Sequence, residues 1–238
     1  MKHEILTYTA DGLEMVSDLF APDGEGNSPG VLVFPEAFGL SGHARHSARR
    51  LAELGYVALA CDLHGGAREI PDLNQVMGLL GPLRSDVSRI RARASGGLQA
   101  LLAAGGVDAR RVAAIGYCFG GTMALELARS GAEIAAAVGF HSGLGTQNPA
   151  DAKAIKGKVL VCLGADDPLI PPADRAAFET EMREAGVDWR MNLYGGVVHS
   201  FTNPDADKAG RPEAIKYDPA ADKRSWDEML ALFGEVFG

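Results

Sequence analysis

The sequence predicts an α/β fold with an open, mostly parallel sheet of about eight strands that is flanked by helices. From residue 31 onward, short apolar runs alternate with longer segments that have helical character. Strands that are apolar throughout are typical of a parallel sheet covered on both faces. The first 20 residues differ, because two runs joined by Asp11-Gly12 predict a pair of antiparallel strands.

Each element can be placed on the chain. The eight predicted strands are Glu4–Thr9, Leu13–Phe20, Val31–Phe34, Val57–Ala60, Val112–Ile115, Ile134–Val138, Val159–Leu163 and Trp189–Leu193. The predicted helices are Ala44–Leu54, Asp86–Ala103, Thr122–Arg129, Pro172–Ala185 and Asp222–Val236, of which the second is weakened by Gly96-Gly97. In an open α/β sheet, functional residues cluster where the strands end, at their carboxyl ends.

Size and charge narrow the class of protein. A chain of 238 residues, 47% hydrophobic and 23% charged, fits one globular domain over residues 1–238. The formal net charge of −8 gives no electrostatic support to a nucleic-acid or anionic-membrane partner. No run approaches the roughly 18 apolar residues of a membrane span, and the first residues do not resemble a signal peptide.

The cysteines indicate a reducing compartment. Cys61, Cys118 and Cys162 are widely spaced and form no C-x-x-C pair, which argues against a disulfide framework or a zinc ribbon. A cytoplasmic location is therefore expected. No cluster of ligand-type residues predicts a metal or cofactor.

A nucleophile elbow is the main chemical motif. The strand Val112–Ile115 is followed by Gly116-Tyr117-Cys118-Phe119-Gly120-Gly121 and then by a helix, which is the G-x-S-x-G pattern with cysteine in place of serine. The helix N-terminus favours a thiolate at Cys118, and the Phe119 amide is expected to face a developing oxyanion. The alternative is a small buried hydrophobic residue, which is the interpretation we give to Cys61 and Cys162.

The acid and the histidine should follow in chain order. After strand Val159–Leu163, Asp166 and Asp167 compete for the role of the acid, and Asp167 is favoured because Pro-Leu-Ile-Pro follows it. His199 follows the last strand and is the predicted base. The other histidines are His3 at the terminus, His43 and His46 on the first helix and expected in solvent, and His64 and His141, which follow strands and can line a pocket.

With these residues in place, the sequence resembles the dienelactone hydrolase family over nearly its whole length. The resemblance is carried by the elbow, by Phe34-Pro35-Glu36-Ala37-Phe38-Gly39, by Cys61-Asp62-Leu63-His64-Gly65, by Gly-x-x-Asp-Pro-x-Ile-Pro and by His199-Ser-Phe-Thr-Asn-Pro204. It implies that Glu36 contacts the resting thiol and activates the nucleophile; the alternative is that Glu36 only accepts hydrogen bonds within its loop. It also implies that the Ala37 amide is the second oxyanion donor.

One position departs from the family pattern. Members that open dienelactone hold the substrate carboxylate with arginines, one of them four residues after the catalytic histidine, where this chain has Asn203. Arg84 lies in the region expected to cover the pocket, as do Arg68, Arg89 and Arg91. Arg84, Phe38 and Asn203 are therefore the candidate substrate-binding residues, and specificity for a carboxylate-bearing lactone is left open.

The expected function is hydrolysis of small esters or lactones by a Cys118–His199–Asp167 triad through a thioester. The partner is a small-molecule substrate, and the chain is expected to be a monomer or a homodimer. Two alternatives remain. One is a broad esterase or peptidase in which Cys118 is a weak nucleophile, and the other is a non-enzymatic binding protein or a redox sensor acting through Cys118.

Overall fold

The sheet has eight strands, seen in a computed structural model that describes residues 1–24 and 26–238. In chain order the strands are β1 (Lys2–Ala10), β2 (Leu13–Ala21), β3 (Ser28–Phe34), β4 (Val57–Ala60), β5 (Val107–Tyr117), β6 (Ala136–Phe140), β7 (Lys158–Gly164) and β8 (Trp189–Tyr194). Their spatial order is β1-β2-β4-β3-β5-β6-β7-β8. β2 pairs antiparallel with both β1 and β4, and the pairs from β4 to β8 are parallel. The predicted fold class is confirmed.

Helices connect the parallel strands, as the apolar character of the strands requires. They are α1 (Gly42–Glu53), α2 (Leu73–Ser85), α3 (Val87–Ala103), α4 (Phe119–Arg129), α5 (Pro172–Ala185) and α6 (Pro219–Phe237). Two short 3₁₀ segments lie at Pro149–Ala154 and Ala206–Ala209. Within the described ranges, no helix is both long enough and apolar enough to cross a lipid bilayer.

The two faces of the sheet bury separate cores, because successive side chains of a strand point in opposite directions. In β3, Leu32 packs on the face covered by α3 and α4, where it joins Leu98 and Met123. Val31 and Val33 pack on the other face with residues of α1 and α6, including Leu51 and Phe233. Helices on both faces therefore leave the carboxyl ends of the strands as the open edge where a site can form.

Helix α2 was not predicted from the sequence. Its segment contains Gly78, Gly81 and Pro82, which are poor helix formers, and only Val76, Leu80 and Leu83 are buried. The side chain of Asp72 caps it by accepting a hydrogen bond from the Gln75 amide at 2.8 Å.

Helix α3 runs without interruption through Gly96-Gly97, although these residues lower helix propensity. A Cβ at Gly96 would lie 2.5 Å from the Ala10 Cβ, so the glycine allows α3 to pack closely on β1. Several predicted boundaries also shift, and the largest change is in β5, which spans Val107–Tyr117 rather than Val112–Ile115. β6 begins at Ala136 rather than Ile134, and α4 begins at Phe119 rather than Thr122.

Candidate active site

Cys118 lies on the sharp turn between β5 and α4. Its backbone has φ +53° and ψ −117°, a left-handed conformation that a non-glycine residue rarely adopts. The turn needs glycine on either side of it. A Cβ at Gly116 would lie 2.0 Å from the Gly120 carbonyl oxygen, and one at Gly120 would lie 2.3 Å from the carbonyl oxygens of Phe34 and Pro35. The cysteine thus stands at the carboxyl end of the sheet, at the start of a helix.

His199 and Asp167 form a buried pair beside this turn. Nδ1 of His199 lies 2.7 Å from Oδ2 of Asp167, and the carboxylate also accepts the Leu169 amide at 2.8 Å on Oδ1. Because a carboxylate only accepts hydrogen bonds, Nδ1 carries the proton and donates it. Asp166, the alternative acid, is exposed on the preceding turn. Asp167 is therefore the carboxylate that orients the His199 ring.

The free nitrogen of this ring faces the thiol. Burial lowers the pKa of His199, but the charge of Cys118 and the hydrogen bond to Asp167 outweigh burial and raise the pKa to about 10. Nε2 is buried and, among the described residues, has no hydrogen-bond partner. It is thus available to exchange a proton with the Cys118 thiol.

The raised pKa predicts a pH-dependent stability. Between its ordinary pKa of 6.5 and about 10, His199 holds a proton in the folded state that it loses in the unfolded state. The stability that this adds is fully present below pH 6.5 and is lost as the pH rises through about 10. The urea midpoint should therefore fall over this range. It should fall less in Cys118→Ala, which lacks the largest cause that raises this pKa. Equal falls in the two proteins would contradict the coupling.

Glu36 follows β3 and is buried, and its hydrogen bonds are made to residues other than Cys118. Its Oε1 lies 2.8 Å from His43 Nδ1 and accepts the Asn203 side-chain amide at 2.9 Å. Ser41 Oγ lies 3.5 Å from Oε2. Among the described residues no hydrogen bond joins Glu36 to Cys118, which differs from the arrangement that the family resemblance implies.

The neighbouring Ala37 presents its amide without a partner. In the described part of the chain this N–H donates no hydrogen bond, while the carbonyl accepts one from His64 Nε2 at 2.8 Å. Burial lowers the pKa of His64, so the ring is neutral and Nε2 is the protonated nitrogen. The Phe119 amide opens helix α4 and, like any first helical N–H, has no partner inside the helix. Two backbone donors are thus available, one on Phe119 directly after Cys118 and one on Ala37 in the loop after β3.

A cavity of about 510 Å³ opens onto Cys118 and His199. Its wall is mainly apolar, with some polar groups toward the loop after β6. The other lining residues are Leu83, Arg84, Val87, Ile90, Phe119, Thr122, Glu126, Gly143, Gly145, Thr146, Gln147, Leu169 and Ile170. Such a cavity is large enough for a small organic ester.

Glu126 is the one carboxylate among the residues that line this cavity, and two arginines neutralise its charge. Glu126 accepts hydrogen bonds from Arg91 at 2.8 Å and from Arg129 at 3.0 Å, and Arg129 is itself fully buried against Glu181. The wall therefore carries no free negative charge. No group of three His, Cys, Asp or Glu side chains that could hold a metal occurs among the residues that the structure describes.

A known protein family matches nearly the whole chain. Residues 16–237 match the sequence profile of the dienelactone hydrolase family. The chain belongs to the dienelactone hydrolase family. Membership confirms the resemblance found in the sequence and identifies the protein as an α/β-hydrolase.

Relatives of this dienelactone hydrolase family member span all or most of its length. A solved structure named m3DLH is 50% identical, covers 100% of this chain and 99% of its own, and has a TM-score of 0.96. A dienelactone hydrolase-like promiscuous phosphotriesterase from metagenomic libraries is 44% identical with the same coverage and a TM-score of 0.95. A Bradyrhizobium protein named "Probable 2-oxo-3-(5-oxofuran-2-ylidene)propanoate lactonase" is 27% identical over 92% of this chain and 89% of its own.

The candidate substrate-binding residues of this dienelactone hydrolase fold lie in different places. Arg84 lines the cavity, and the hydrogen bond that the structure gives it uses its backbone carbonyl, which accepts from Gln147. Phe38 is 40% exposed and does not line the cavity. Asn203 is also outside the lining and binds Glu36 instead. Of the three, Arg84 alone reaches the cavity.

His43 was expected in solvent, and that expectation is wrong. Its side chain is 9% exposed and lies against Glu36. The sequence signal for this burial is the spacing along α1. His43 lies four residues before Ser47 and eight before Leu51, so all three share one face of the helix, and Ser47 and Leu51 are buried. His64 and His141, considered as pocket residues, are buried behind the site and line no part of the cavity.

Proposed function

We propose that this dienelactone hydrolase family member hydrolyses small carboxylic esters and lactones with Cys118 as nucleophile, His199 as base and Asp167 as orienting acid. The observation that carries the proposal is the His199 ring. One nitrogen is fixed by Asp167 at 2.7 Å, and the other is buried, unpartnered and next to the thiol in the same cavity. This is the arrangement that an activated nucleophile needs.

The reaction follows from these positions. In the resting protein the thiol proton lies on His199 Nε2, in keeping with the raised pKa of that ring. The Cys118 thiolate sulfur then bonds to the ester carbonyl carbon, whose oxygen becomes an oxyanion. The Phe119 and Ala37 amides donate to this oxygen. The C–O bond to the alcohol then breaks, and the imidazolium returns its proton to the leaving alkoxide. Water, deprotonated by Nε2, adds to the thioester carbon, and the C–S bond breaks to release the acid and the thiol.

The deciding experiment is to trap the thioester. The protein is mixed with p-nitrophenyl acetate, and the reaction is quenched in acid within the first turnover. The protein is then digested, and the masses of its peptides are measured by mass spectrometry. An acetyl group on the Cys118 peptide of the wild type and of Cys162→Ala is the expected result. Turnover with no acetyl group on Cys118 at any time point would remove the basis for the proposal.

Asp167→Asn tests the orienting acid. The asparagine amide would donate to Nδ1 and force the proton onto Nε2, which then cannot accept the thiol proton. We expect kcat to fall by at least about 10²-fold, toward the roughly 10⁴-fold loss seen when a triad aspartate becomes asparagine, with the fold retained. Steady-state kinetics with circular dichroism measure this.

Asp166→Asn is the matched control for this substitution, since Asp166 is adjacent, exposed and outside the pair. It should keep the wild-type kcat. If the two variants lost activity equally, Asp167 would not act through His199.

Arg84 is our proposal for the residue that binds a substrate carboxylate. Its exposed side chain reaches the cavity, and the one carboxylate of the cavity wall is paired with arginines and so does not repel an anionic substrate. Arg84→Gln should lower kcat/KM about tenfold for a carboxylate-bearing lactone, because hydrogen bonds to charged groups contribute about 1.5–3 kcal/mol. A neutral aryl ester should be unaffected. Arg110→Gln, at an exposed site outside the lining, serves as the control, and equal losses on both substrates would argue against charge recognition.

Phosphotriester hydrolysis is a second candidate activity. It is favoured by the metagenomic phosphotriesterase, which is 44% identical to this chain over its whole length. In this reaction the Cys118 sulfur would bond to phosphorus, the aryloxide would leave, and water would then break the S–P bond. Release of nitrophenolate from diethyl p-nitrophenyl phosphate by the wild type, and its loss in Cys118→Ala, is the expected result. Equal rates in the two proteins would exclude this route.

A further inference from the structure

Glu36 is a buried charge beside the proposed nucleophile. It is 6% exposed, and the backbone just before it lies against the elbow, since the Phe34 and Pro35 carbonyls would contact any Cβ at Gly120. Burial raises the pKa of Glu36, but the charge and hydrogen bond of His43 outweigh it and leave the pKa below its usual value. The carboxylate is therefore ionised in the resting protein.

An unbalanced carboxylate here would oppose formation of a second negative charge on the thiol. The structure shows how it is balanced. His43 Nδ1 lies 2.8 Å from Oε1, and the Asn203 amide donates to the same oxygen at 2.9 Å. Within the described residues, Glu36 accepts no hydrogen bond from the Cys118 thiol. The negative charge is thus paired before a substrate arrives.

His43 is held firmly in this position. It lies in the first turn of α1, and its ring packs on that of Tyr117 with centroids 4.3 Å apart. The Tyr117 hydroxyl donates in turn to Ser47, one turn further along α1, at 2.9 Å. Because Tyr117 directly precedes Cys118, the same contacts tie α1 to the elbow.

We propose that His43 is a positioning residue that, together with Asn203, holds Glu36 in place and balances its negative charge. With that charge balanced, the Cys118 thiol can transfer its proton to His199 in the resting protein. The inference rests on the proposed function, since it concerns the same nucleophile. It assigns to His43 an effect on the thiol that is exerted through Glu36, without contact to substrate.

Other titratable groups also face His43 from the elements packed around it. Burial lowers the pKa of His141, as do the charges of His199 and His43, so His141 is neutral. Asp222 of α6 has its pKa raised by burial and is hydrogen-bonded to Tyr217. His46 lies one turn along α1, and its pKa is lowered by burial and by the charges of Arg50 and His43. Among the described residues, Glu36 is the carboxylate that bonds to His43 directly.

The test is alkylation of the thiol by iodoacetamide at pH 7, followed on the Cys118 peptide. The other cysteines do not interfere, because burial raises the pKa of Cys61 and raises that of Cys162 to about 12. His43→Leu should slow alkylation about tenfold or more, since each unit of thiol pKa is a tenfold change in thiolate. The value of kcat/KM should fall in parallel through kcat, with KM little changed.

The double variant Glu36→Gln/His43→Leu separates positioning from a structural role. Without the carboxylate there is no charge to balance, so alkylation should return toward the wild-type rate. His46→Gln, on the same helix but exposed, is the matched control and should alkylate like the wild type. Should His43→Leu fail to fold, His43→Gln keeps a neutral donor and should show a smaller slowing that Glu36→Gln again relieves.

Two results would overturn the inference. One is a folded His43→Leu protein that alkylates at the wild-type rate, and the other is a double variant as slow as the single one. These outcomes are distinct from failure of the proposed function. If Cys118→Ala hydrolysed esters normally, the proposed triad would be wrong. The alkylation rates of the Cys118 thiol would still show whether His43 affects its ionisation.

Discussion

Cys118→Ala is expected to lower kcat/KM for a small activated aryl ester by roughly 10⁴- to 10⁶-fold, the range found when a triad nucleophile is removed. The reason is that His199 and the backbone donors remain, but no atom is left to form the acyl-enzyme. The fold should be unchanged, because Cys118 is only partly buried and alanine removes a single sulfur at the edge of the core. Initial rates for both proteins, measured side by side at equal concentration, provide the test.

Cys162→Ala is the matched control, because Cys162 is a buried cysteine on β7 and does not line the cavity. It should retain nearly full activity. Equal rates in Cys118→Ala and the wild type would support the alternatives considered for the sequence, a binding protein or a redox sensor. A Cys118→Ser variant that was faster than the wild type would instead favour an esterase of the serine type.

Gly120→Val is expected to prevent folding, or to lower the free energy of unfolding by more than about 4 kcal/mol, the upper end of single-substitution effects. Its Cβ alone would lie 2.3 Å from two carbonyl oxygens, those of Phe34 and Pro35. Both belong to the backbone at the end of β3, in the centre of the sheet, so neither can turn aside as a flexible side chain could. Urea denaturation followed by circular dichroism measures the loss.

Gly234→Val is the control for this substitution. Gly234 is also a helical glycine, in α6, but a Cβ there has no atom within 4 Å. Its effect should stay within about 1 kcal/mol, the scale of helix propensity. A well-folded Gly120→Val protein, as stable as Gly234→Val, would show that α4 does not approach β3 as closely as described.

Much of the fold was predictable because its signals are local. Apolar runs such as Val57–Ala60 and Val159–Leu163 mark buried strands, and their order along the chain fixes a mostly parallel sheet. Helix α2 was missed because Gly78, Gly81 and Pro82 hide its pattern, and its stability comes from packing of a few side chains rather than from propensity.

The candidate site, like the fold, could be predicted from the sequence only in part. Cys118, Asp167 and His199 could be chosen because each follows a strand in the chain order of this fold, and the structure brings them together. The contacts of Glu36 could not be derived, since His43 and Asn203 come from separate elements and only the folded chain places them on one carboxylate. Their catalytic roles stay predictions until the variants are measured.

The left-handed backbone at Cys118 also bears on how this protein can be engineered. A non-glycine residue at φ +53° costs about 1–3 kcal/mol, and glycine would relieve that strain. Libraries selected for heat resistance alone should therefore accumulate glycine at position 118 and lose the proposed nucleophile. Thermostabilisation of this enzyme needs a screen that scores turnover together with survival.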